Sequence, residues 1–340
     1  MVTPWNFPIA VPAWKLAPAL AYGNTVVLKP ASLTPGMGVA LAEVLAEAGI
    51  PPGVFNLVTG SGGVVGDALV AHPAVRGVSF TGSNAVGKRI AALALERGVR
   101  YQLEMGGKNP ILIAPDADLD QAVELTVRGA MLSCGQKCTA TSRAIVCQPL
   151  VEEFTTRLVK RVRELRQGPG TDASTFLGPV VSEAQRRSIL EYVRIGQEEG
   201  ARLLVGGGVP EGPEFAHGYY VQPTVFDQVT PSMRIAREEI FGPVLAILAA
   251  KDLQEAIAMA NNTAYGLSAS LVTRSLNAAL EYVTDIEAGL VRVNGETAGV
   301  EPQAPFGGMK ESSSYSREQG RAAMEFYTQV KTVYLERAAS

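Results

Sequence analysis

Short hydrophobic runs alternate along the chain with longer stretches in which apolar residues recur every three or four positions. In the first hundred residues the short runs predict strands over 23–30, 54–60 and 75–82. The longer stretches predict helices over 35–49, from Val65 to Val70 and from Ala85 to about Leu95, the last with Ser83 as its N-cap. Strands that alternate with helices predict a parallel α/β sheet.

A second α/β series follows. Strands are predicted over 111–115, 142–148, 202–207, 244–250, 269–273 and 289–294, and helices over 118–132, 151–166 and 180–200. Residues 205–218 are rich in glycine and proline, which is typical of a surface loop. A chain of 340 residues is long for one core, so we expect two sizeable domains with a boundary near Gly106-Gly107.

Composition narrows the class of protein. Hydrophobic residues make up 47% of the chain, charged residues 19%, and the formal net charge is −3, as in a soluble globular protein. The sequence contains no cluster of basic residues, so nucleic acid is not expected as a main partner. No apolar run predicts a membrane span, and the apolar N-terminus, interrupted by prolines and without a basic start, does not resemble a signal peptide.

The cysteines and histidines limit the chemistry further. Cys134, Cys138 and Cys147 are an odd set that does not suggest a disulfide framework, so a reducing, cytoplasmic setting is expected. His72 and His217 stand far from the cysteines in the sequence and are predicted to be surface or loop residues. The sequence therefore predicts no metal site.

Two segments are candidates for cofactor binding and nucleophilic chemistry. The turn Gly82-Ser83 joins a strand to a helix, where free N–H groups suit a dinucleotide phosphate, but a plain turn is the alternative because the full glycine fingerprint is absent. Cys138 lies beside Lys137 in a glycine- and threonine-rich loop, which favours either a nucleophile of lowered pKa or a buried structural cysteine.

A third candidate is Glu104. It stands among apolar and glycine residues, so it is either a desolvated general base or a solvated loop residue. Local sequence alone leaves both interpretations open.

Seven motifs taken together reduce these alternatives. They are Pro4-Trp5-Asn6-Phe7-Pro8, Lys29-Pro30-Ala31-Ser32, Phe80-Thr81-Gly82-Ser83, Leu103-Glu104-Met105-Gly106-Gly107-Lys108, Gly135-Gln136-Lys137-Cys138, Glu239-Ile240-Phe241-Gly242-Pro243 and Pro305-Phe306-Gly307-Gly308. In this order and spacing they are specific. The chain resembles the aldehyde dehydrogenase superfamily over its whole length. Residues 135–143 and 306–313 are similar to its 2,5-dioxovalerate (α-ketoglutarate semialdehyde) dehydrogenase branch.

The resemblance implies NAD or NADP as cofactor, a small aldehyde as substrate, and a homo-oligomer in the full-length family. Cys138 would be the nucleophile, Asn6 and the Cys138 N–H would stabilise the oxyanion, and Glu104 would activate water. The implied cofactor-binding residues are Trp5, Lys29, Ser32, Gly82, Ser83, Glu239 and Phe241. The implied substrate pocket contains Phe7, Lys137, Thr139 and Phe306. For the two phenylalanines a role as core aromatics stays open, and Lys137 either favours an acidic aldehyde or only shapes its loop.

The resemblance also implies a domain plan. Residues 1–105 would be a Rossmann-like NAD(P)-binding domain that is incomplete at its N-terminus, 106–315 a catalytic domain, and 316–340 a return segment with an oligomerisation strand at 331–335. Family members carry roughly 130–150 residues before the first motif. A silent remnant that at most binds nucleotide is therefore an alternative to an active enzyme. A CoA-acylating relative is a third hypothesis, against which Glu104 argues because hydrolysis needs that base.

One further departure concerns the cofactor. NAD-preferring family members often carry a glutamate where this chain has Ser32. A carboxylate would repel a 2′-phosphate and a serine would not, so the sequence predicts that NADP is at least tolerated.

Overall fold

The computed structural model describes residues 1–338 as an α/β protein. Its α-helices are α1 (Ala10–Ala21), α2 (Pro35–Glu47), α3 (Asp67–Ala71), α4 (Asn84–Glu96), α5 (Leu119–Met131), α6 (Val151–Arg163), α7 (Glu183–Glu198), α8 (Arg234–Arg237), α9 (Leu253–Asn261), α10 (Leu276–Asp285) and α11 (Ala322–Tyr327). Its strands are β1 (Val26–Leu28), β2 (Phe55–Leu57), β3 (Gly77–Thr81), β4 (Arg100–Glu104), β5 (Asn109–Ile113), β6 (Thr141–Cys147), β7 (Arg202–Val205), β8 (Thr224–Asp227), β9 (Val244–Ala250), β10 (Tyr265–Gly266), β11 (Ser268–Val272), β12 (Leu290–Val293) and β13 (Met309–Lys310). The predicted alternation of strands and helices is confirmed.

A seven-stranded sheet forms the larger core. Its strand order is β12-β11-β5-β6-β9-β8-β7, and all neighbours run parallel except the β7–β8 pair. The central strand β5 is fully buried, and β6 is buried except at Ser142, which explains why their sequences contain nearly continuous apolar runs rather than an alternating pattern. This sheet begins at Asn109, directly after the predicted boundary at Gly106-Gly107, although the domain limits themselves stay predictions.

The first residues of the chain join two pairs of parallel strands. β1 pairs with β2, and β3 pairs with β4. Val2 forms parallel bridges to both Lys29 and Phe80, so residues 1–3 lie between β1 and β3. The Val2 N–H donates to the Ser79 carbonyl at 3.0 Å, and the Thr3 N–H donates to the Lys29 carbonyl at 3.2 Å. The motif that contains Asn6 therefore leaves directly from the middle of this sheet.

Nine of these elements were not predicted from the sequence, namely α1, β4, β8, α8, α9, β10, α10, β13 and α11. Helix α1 forms in spite of two prolines. Pro12 lies in the first turn, where a backbone N–H has no partner within the helix, so its absence removes no helical hydrogen bond. Pro18 removes one helical hydrogen bond, and the helix continues on both sides of it. β4 and β8 are short and mix polar with apolar residues, so no strand period is visible in them. Within residues 1–338 no helix is both long and apolar enough to cross a membrane.

The predicted strand at 331–335 is not formed. Residues 328–338 have no regular secondary structure, and Tyr334 and Leu335 are 86% and 94% exposed. A strand needs a neighbour to take up its N–H and C=O groups, and no part of the chain within residues 1–338 pairs with this segment. His72 and His217 are exposed, as predicted.

Arg143 gives a test of this core. Its guanidinium is buried in β6 and donates to the carbonyls of Lys108, Met259 and Ala260 at 2.9–3.0 Å. We expect Arg143→Met to lower the free energy of unfolding by about 3 kcal/mol, because three buried carbonyls lose their donor. Urea unfolding measures this. The exposed Arg187→Met variant should change it by less than about 0.5 kcal/mol, and equal losses in both would contradict the role of the buried bonds.

Candidate active site

A cavity of about 760 Å³ lies among α1, the start of α4 and the loop between α5 and β6. Most of the predicted site residues line it, namely Trp5, Asn6, Phe7, Gly82, Ser83, Lys137, Cys138, Thr139, Glu239, Phe241 and Phe306. Its wall also includes Gly299, Val300 and Pro302 from the loop after β12. Lys29, Ser32 and Glu104 are not part of the wall, so the structure does not bring every predicted residue to the same surface.

The loop that carries Cys138 makes a sharp turn after α5. Ser133, Cys134 and Gly135 all have positive φ, at 57°, 54° and 64°, a conformation that is unfavourable for the first two residues. A side chain on Gly135 would collide with the carbonyl group of Gly242, so glycine is required where this loop meets the Glu239 motif. The turn therefore brings two of the sequence motifs into direct contact.

Hydrogen bonds from neighbouring elements fix this loop. Asn109 Nδ2 donates to the carbonyls of Cys138 and Ala140 at 2.8 and 2.9 Å. Thr297 Oγ1 donates to the Thr139 carbonyl at 2.7 Å from the other side. Asn109 and Thr297 are buried, so the backbone on both sides of the thiol is held without competition from water.

Asn6 lies against the same loop. Its Nδ2 atom donates to the carbonyl of Gln136 at 3.0 Å. Gln136 is itself held by the Val181 N–H, which donates to Gln136 Oε1 at 3.0 Å. These bonds fix the amide group of Asn6 beside the segment that ends in Cys138, as an oxyanion donor requires.

Of the two sequence interpretations of Cys138, a lowered pKa does not agree with the structure. Burial raises the pKa of Cys138 to about 12, and the charges of Glu239 and then Glu104 add to the rise. The backbone N–H groups of Thr139 and Cys138 act in the opposite direction. The thiol is therefore protonated at neutral pH in the free protein, and a nearby lysine does not outweigh desolvation.

The other two cysteines have no access to the cavity. Cys134 Sγ lies 3.0 Å from the carbonyl oxygen of Gly178, and burial raises the pKa of Cys134 to about 12. Cys147 lies fully buried in β6, where burial raises its pKa to about 11. Both match the interpretation as structural cysteines.

Glu239 lies in the cavity wall against the Gly106-Gly107 motif. Its Oε1 atom accepts the Gly107 N–H at 3.0 Å, and a side chain on Gly106 would collide with its carboxylate. Burial raises the pKa of Glu239 to about 7, while the Gly107 hydrogen bond and the charge of Lys108 oppose that rise. Gly106 is thus needed for this carboxylate to pack on the backbone.

Glu104 is withdrawn behind the wall. It is 1% exposed and lies at the end of β4. Burial and then the charge of Glu318 raise the pKa of Glu104 well above its usual range. A hydrogen bond from Ser313 and the charges of Lys15 and Arg317 act against this rise. Of the two sequence interpretations, a desolvated carboxylate agrees with the structure and a solvated loop residue does not.

Two functional candidates were missed in the sequence. Lys15 and Glu318 form a buried ion pair, with Ser79 accepting from Lys15 Nζ at 3.0 Å and Trp14 Nε1 donating to Glu318 at 2.8 Å. The pair lies close enough to Glu104 to act on its charge. A single lysine in the otherwise apolar helix α1 was the available signal for Lys15, whereas no local pattern distinguishes Glu318.

Aromatic rings shape the apolar part of the cavity. Trp5 packs edge-on against Phe241 with ring centroids 5.4 Å apart, and Trp14 packs against Phe306 at 5.6 Å. Phe306 is 3% exposed and Phe7 is half-buried, so each packs in the protein and also lines the cavity. The two sequence interpretations of these phenylalanines are therefore compatible.

The wall residues suit a dinucleotide cofactor. Ser83 takes the N-cap position of α4, and among residues 1–338 its side chain makes no capping bond, which leaves the first N–H groups of the helix to a phosphate. Glu239 places a carboxylate in the same wall. Outside the wall, Lys29 Nζ donates to the Pro30 carbonyl at 2.7 Å. Ser32 Oγ donates to the Gly60 carbonyl at 3.0 Å, which places Ser32 beside the glycine-rich loop 60–63.

This fold and this arrangement of cysteine, asparagine and carboxylates are those of the aldehyde dehydrogenase family, to which the chain belongs, with a family match over residues 1–333. The members of this family are oxidoreductases that use NAD or NADP. The chain is 52% identical over 339 residues to the α-ketoglutaric semialdehyde dehydrogenase of Bacillus subtilis, a match that covers 99% of this chain and 69% of that protein.

Two solved structures show the same fold. The NAD-dependent aldehyde dehydrogenase from Sinorhizobium meliloti has a TM-score of 0.95 at 41% identity, over 100% of this chain and 67% of that one. The betaine aldehyde dehydrogenase from Staphylococcus aureus in complex with NAD+ has a TM-score of 0.94 at 38% identity, over 96% of this chain and 64% of that one. The chain thus spans about two thirds of the length of these relatives.

The electrostatics of the thiol can be tested by alkylation. Glu239→Gln removes the larger of the two charges that raise the pKa of Cys138, so the thiolate fraction should increase. Since the pKa of Glu239 is about 7, its charge is present at pH 9 and mostly absent at pH 6. We expect iodoacetamide to modify Cys138 about two- to tenfold faster in the variant at pH 9, with little difference at pH 6. Mass spectrometry of the Cys138 peptide measures both rates.

Glu238→Gln is the matched control for this experiment. Glu238 neighbours Glu239 in sequence but pairs with Arg234 at 2.8 Å and does not act on the thiol. It should leave the alkylation rate unchanged. A Glu239→Gln rate equal to that of the unsubstituted chain at every pH would show that this carboxylate does not control Cys138.

Proposed function

We propose that this chain carries out the NAD(P)-dependent oxidation of an aldehyde to a carboxylic acid, with Cys138 as nucleophile. The observation that supports this most directly is the cavity wall. It holds the thiol, the Asn6 amide, a carboxylate and an open helix N-terminus together with an apolar aromatic surface. Such a cavity suits a cofactor and a small aldehyde at the same time.

The first half of the reaction uses Cys138 and Asn6. The Cys138 thiol gives up its proton to solvent, and its sulfur bonds to the aldehyde carbon and gives a thiohemiacetal. The negative charge on the former carbonyl oxygen is stabilised by the Asn6 amide and the Cys138 N–H. A bound NAD or NADP would supply the hydride acceptor, and Glu239, Trp5 and Phe241 in the wall would hold it. Loss of hydride from the carbon leaves a thioester on Cys138.

The second half needs a base. Glu104 takes a proton from water, the oxygen adds to the thioester carbon, and the Cys138 thiolate leaves as the acid is formed. The carboxylate of Glu104 lies behind the wall in this structure, so its side chain must turn toward the thioester for this step. A buried carboxylate with a raised pKa is a stronger base than one in water, which suits the task.

An acidic aldehyde, 2,5-dioxopentanoate, is the substrate that we favour. Lys137 lies in the wall next to the nucleophile and offers a positive charge to a substrate carboxylate. Similarity to the Bacillus subtilis semialdehyde dehydrogenase points the same way. For the cofactor, Ser32 places no negative charge near the adenosine ribose, so we expect NADP to be accepted alongside NAD. A homo-oligomer and a cytoplasmic setting stay predictions from the sequence.

A burst assay tests the proposed reaction. With excess aldehyde and NAD or NADP, the Glu104→Gln chain should reduce about one cofactor per active site and then turn over about 10²-fold more slowly than the unsubstituted chain, because acylation proceeds without the base. Cys138→Ala should give no reduction at all. Stopped-flow absorbance of the reduced cofactor measures both phases.

Controls for this assay come from the other cysteines. Cys134→Ala and Cys147→Ala should keep the burst, since neither thiol reaches the cavity. Full activity in Cys138→Ala would show that Cys138 is not the nucleophile. An unsubstituted chain that binds the cofactor but gives no burst would instead support the silent remnant. Release of product only with CoA would support the acyl-transferring alternative.

Lys137 gives a separate test of the substrate. Lys137→Met should lower kcat/KM for 2,5-dioxopentanoate by about tenfold or more, because a charge-assisted contact to the substrate carboxylate is lost, and should leave pentanal almost unaffected. Lys137→Arg keeps the charge and should keep most of the preference. Equal losses for both aldehydes in Lys137→Met would show that the lysine only shapes its loop.

A further inference from the structure

Ser313 stands directly opposite Glu104. Residues 312–314 run antiparallel to the end of β4, with the Met105 N–H donating to the Ser312 carbonyl at 2.7 Å and the Ser314 N–H to the Leu103 carbonyl at 2.9 Å. Side chains of residues that face each other in an antiparallel pair lie side by side. The antiparallel pairing of these two segments thus places the Ser313 hydroxyl beside the Glu104 carboxylate.

The Ser313 hydroxyl is bonded on two sides. The Gly308 N–H donates to Ser313 Oγ at 2.6 Å. The Ser313 hydroxyl in turn donates its single hydrogen to Glu104 Oε2. A donor of this kind stabilises the ionised carboxylate over the protonated acid.

Charged groups surround the same carboxylate on its other sides. Glu318 and the Cys138 thiol face it as acidic groups, and Lys15 and Arg317 face it as cations. Glu104 Oε1 has no hydrogen-bond partner among residues 1–338 and lies beside Gly307, where φ is 153° and a side chain would approach it to 2.9 Å. Ser313 is therefore the one direct hydrogen-bond donor recorded for this carboxylate in the described chain.

We propose that Ser313 is a positioning residue for the general base, whose hydroxyl holds Glu104 in its withdrawn place and favours its ionised form, and so helps to set the pH above which the thioester is hydrolysed. This inference rests on the proposed function, in which Glu104 is the deacylating base. Removal of the hydroxyl favours the protonated carboxyl group, because the bond to the ionised form is lost while burial remains. Hydrolysis then requires a higher pH.

A direct titration tests the charge of Glu104 without turnover. The full chain is labelled with glutamate carrying 13C at its side-chain carboxyl, and the Glu104 signal is identified by its loss in Glu104→Gln. In Ser313→Ala the midpoint of this signal should move to higher pH, and in Ser313→Thr it should stay. Ser312→Ala is the matched control, because Ser312 Oγ accepts only the Gly266 N–H at 3.0 Å.

Two titration results would overturn the proposal. One is an unchanged Glu104 midpoint in Ser313→Ala. The other is an equal displacement in Ser312→Ala, which would indicate that general loosening of this segment, rather than the bond to Glu104, moves the midpoint.

Turnover gives the second measurement. At neutral pH Ser313→Ala should keep the size of the cofactor-reduction burst and lower kcat by about tenfold, and kcat should recover as the pH rises. Loss of the burst together with kcat would indicate disruption of the acylation site and would contradict a role confined to the base. If the unsubstituted chain shows no burst, the proposed function fails, and the titration still decides whether Ser313 controls Glu104.

Discussion

Removal of water from ionisable groups around one thiol is the constraint on which the rest of this structure depends. Burial is the largest cause of the raised pKa at Cys138, Glu104 and Glu239 alike. Buried charges are tolerated only when they are paired or hydrogen-bonded. The Lys15–Glu318 ion pair and the Gly107 N–H supply this compensation on two sides of the site. The contacts that fix the geometry of the site therefore also stabilise its buried charges.

Close backbone packing makes this compensation possible. The carboxylate of Glu239 can receive the Gly107 N–H only because Gly106 has no side chain, and the Cys138 loop can meet the Glu239 motif only because Gly135 has none. Each glycine thus corresponds to one contact between segments that are far apart in the sequence. This gives a physical reason for the glycines of these motifs that does not depend on resemblance to a family.

Long periodic elements and motif residues were predictable from the sequence, whereas electrostatic partnerships were not. The strands β5 and β6 are recognisable because burial on both faces requires continuous apolar runs, and α1 was missed because its prolines argue locally against a helix that tertiary packing stabilises. The raised pKa of Cys138 could not be read from its neighbour Lys137, because burial and two distant carboxylates outweigh it. Likewise, Glu318 is 303 residues from Lys15, and no local pattern connects them.

The two carboxylates of the site differ in environment and so in what they can do. Glu239 is in the wall, held by a backbone N–H, and remains where a cofactor would lie. Glu104 lies outside the wall, bonded to the Ser313 hydroxyl. In the proposed reaction, a base that is withdrawn in this way would not activate water beside the thiohemiacetal, so hydride departure would precede hydrolysis without competition from a positioned water molecule. Environment, rather than residue type, would then determine which carboxylate binds the cofactor and which one acts as the base.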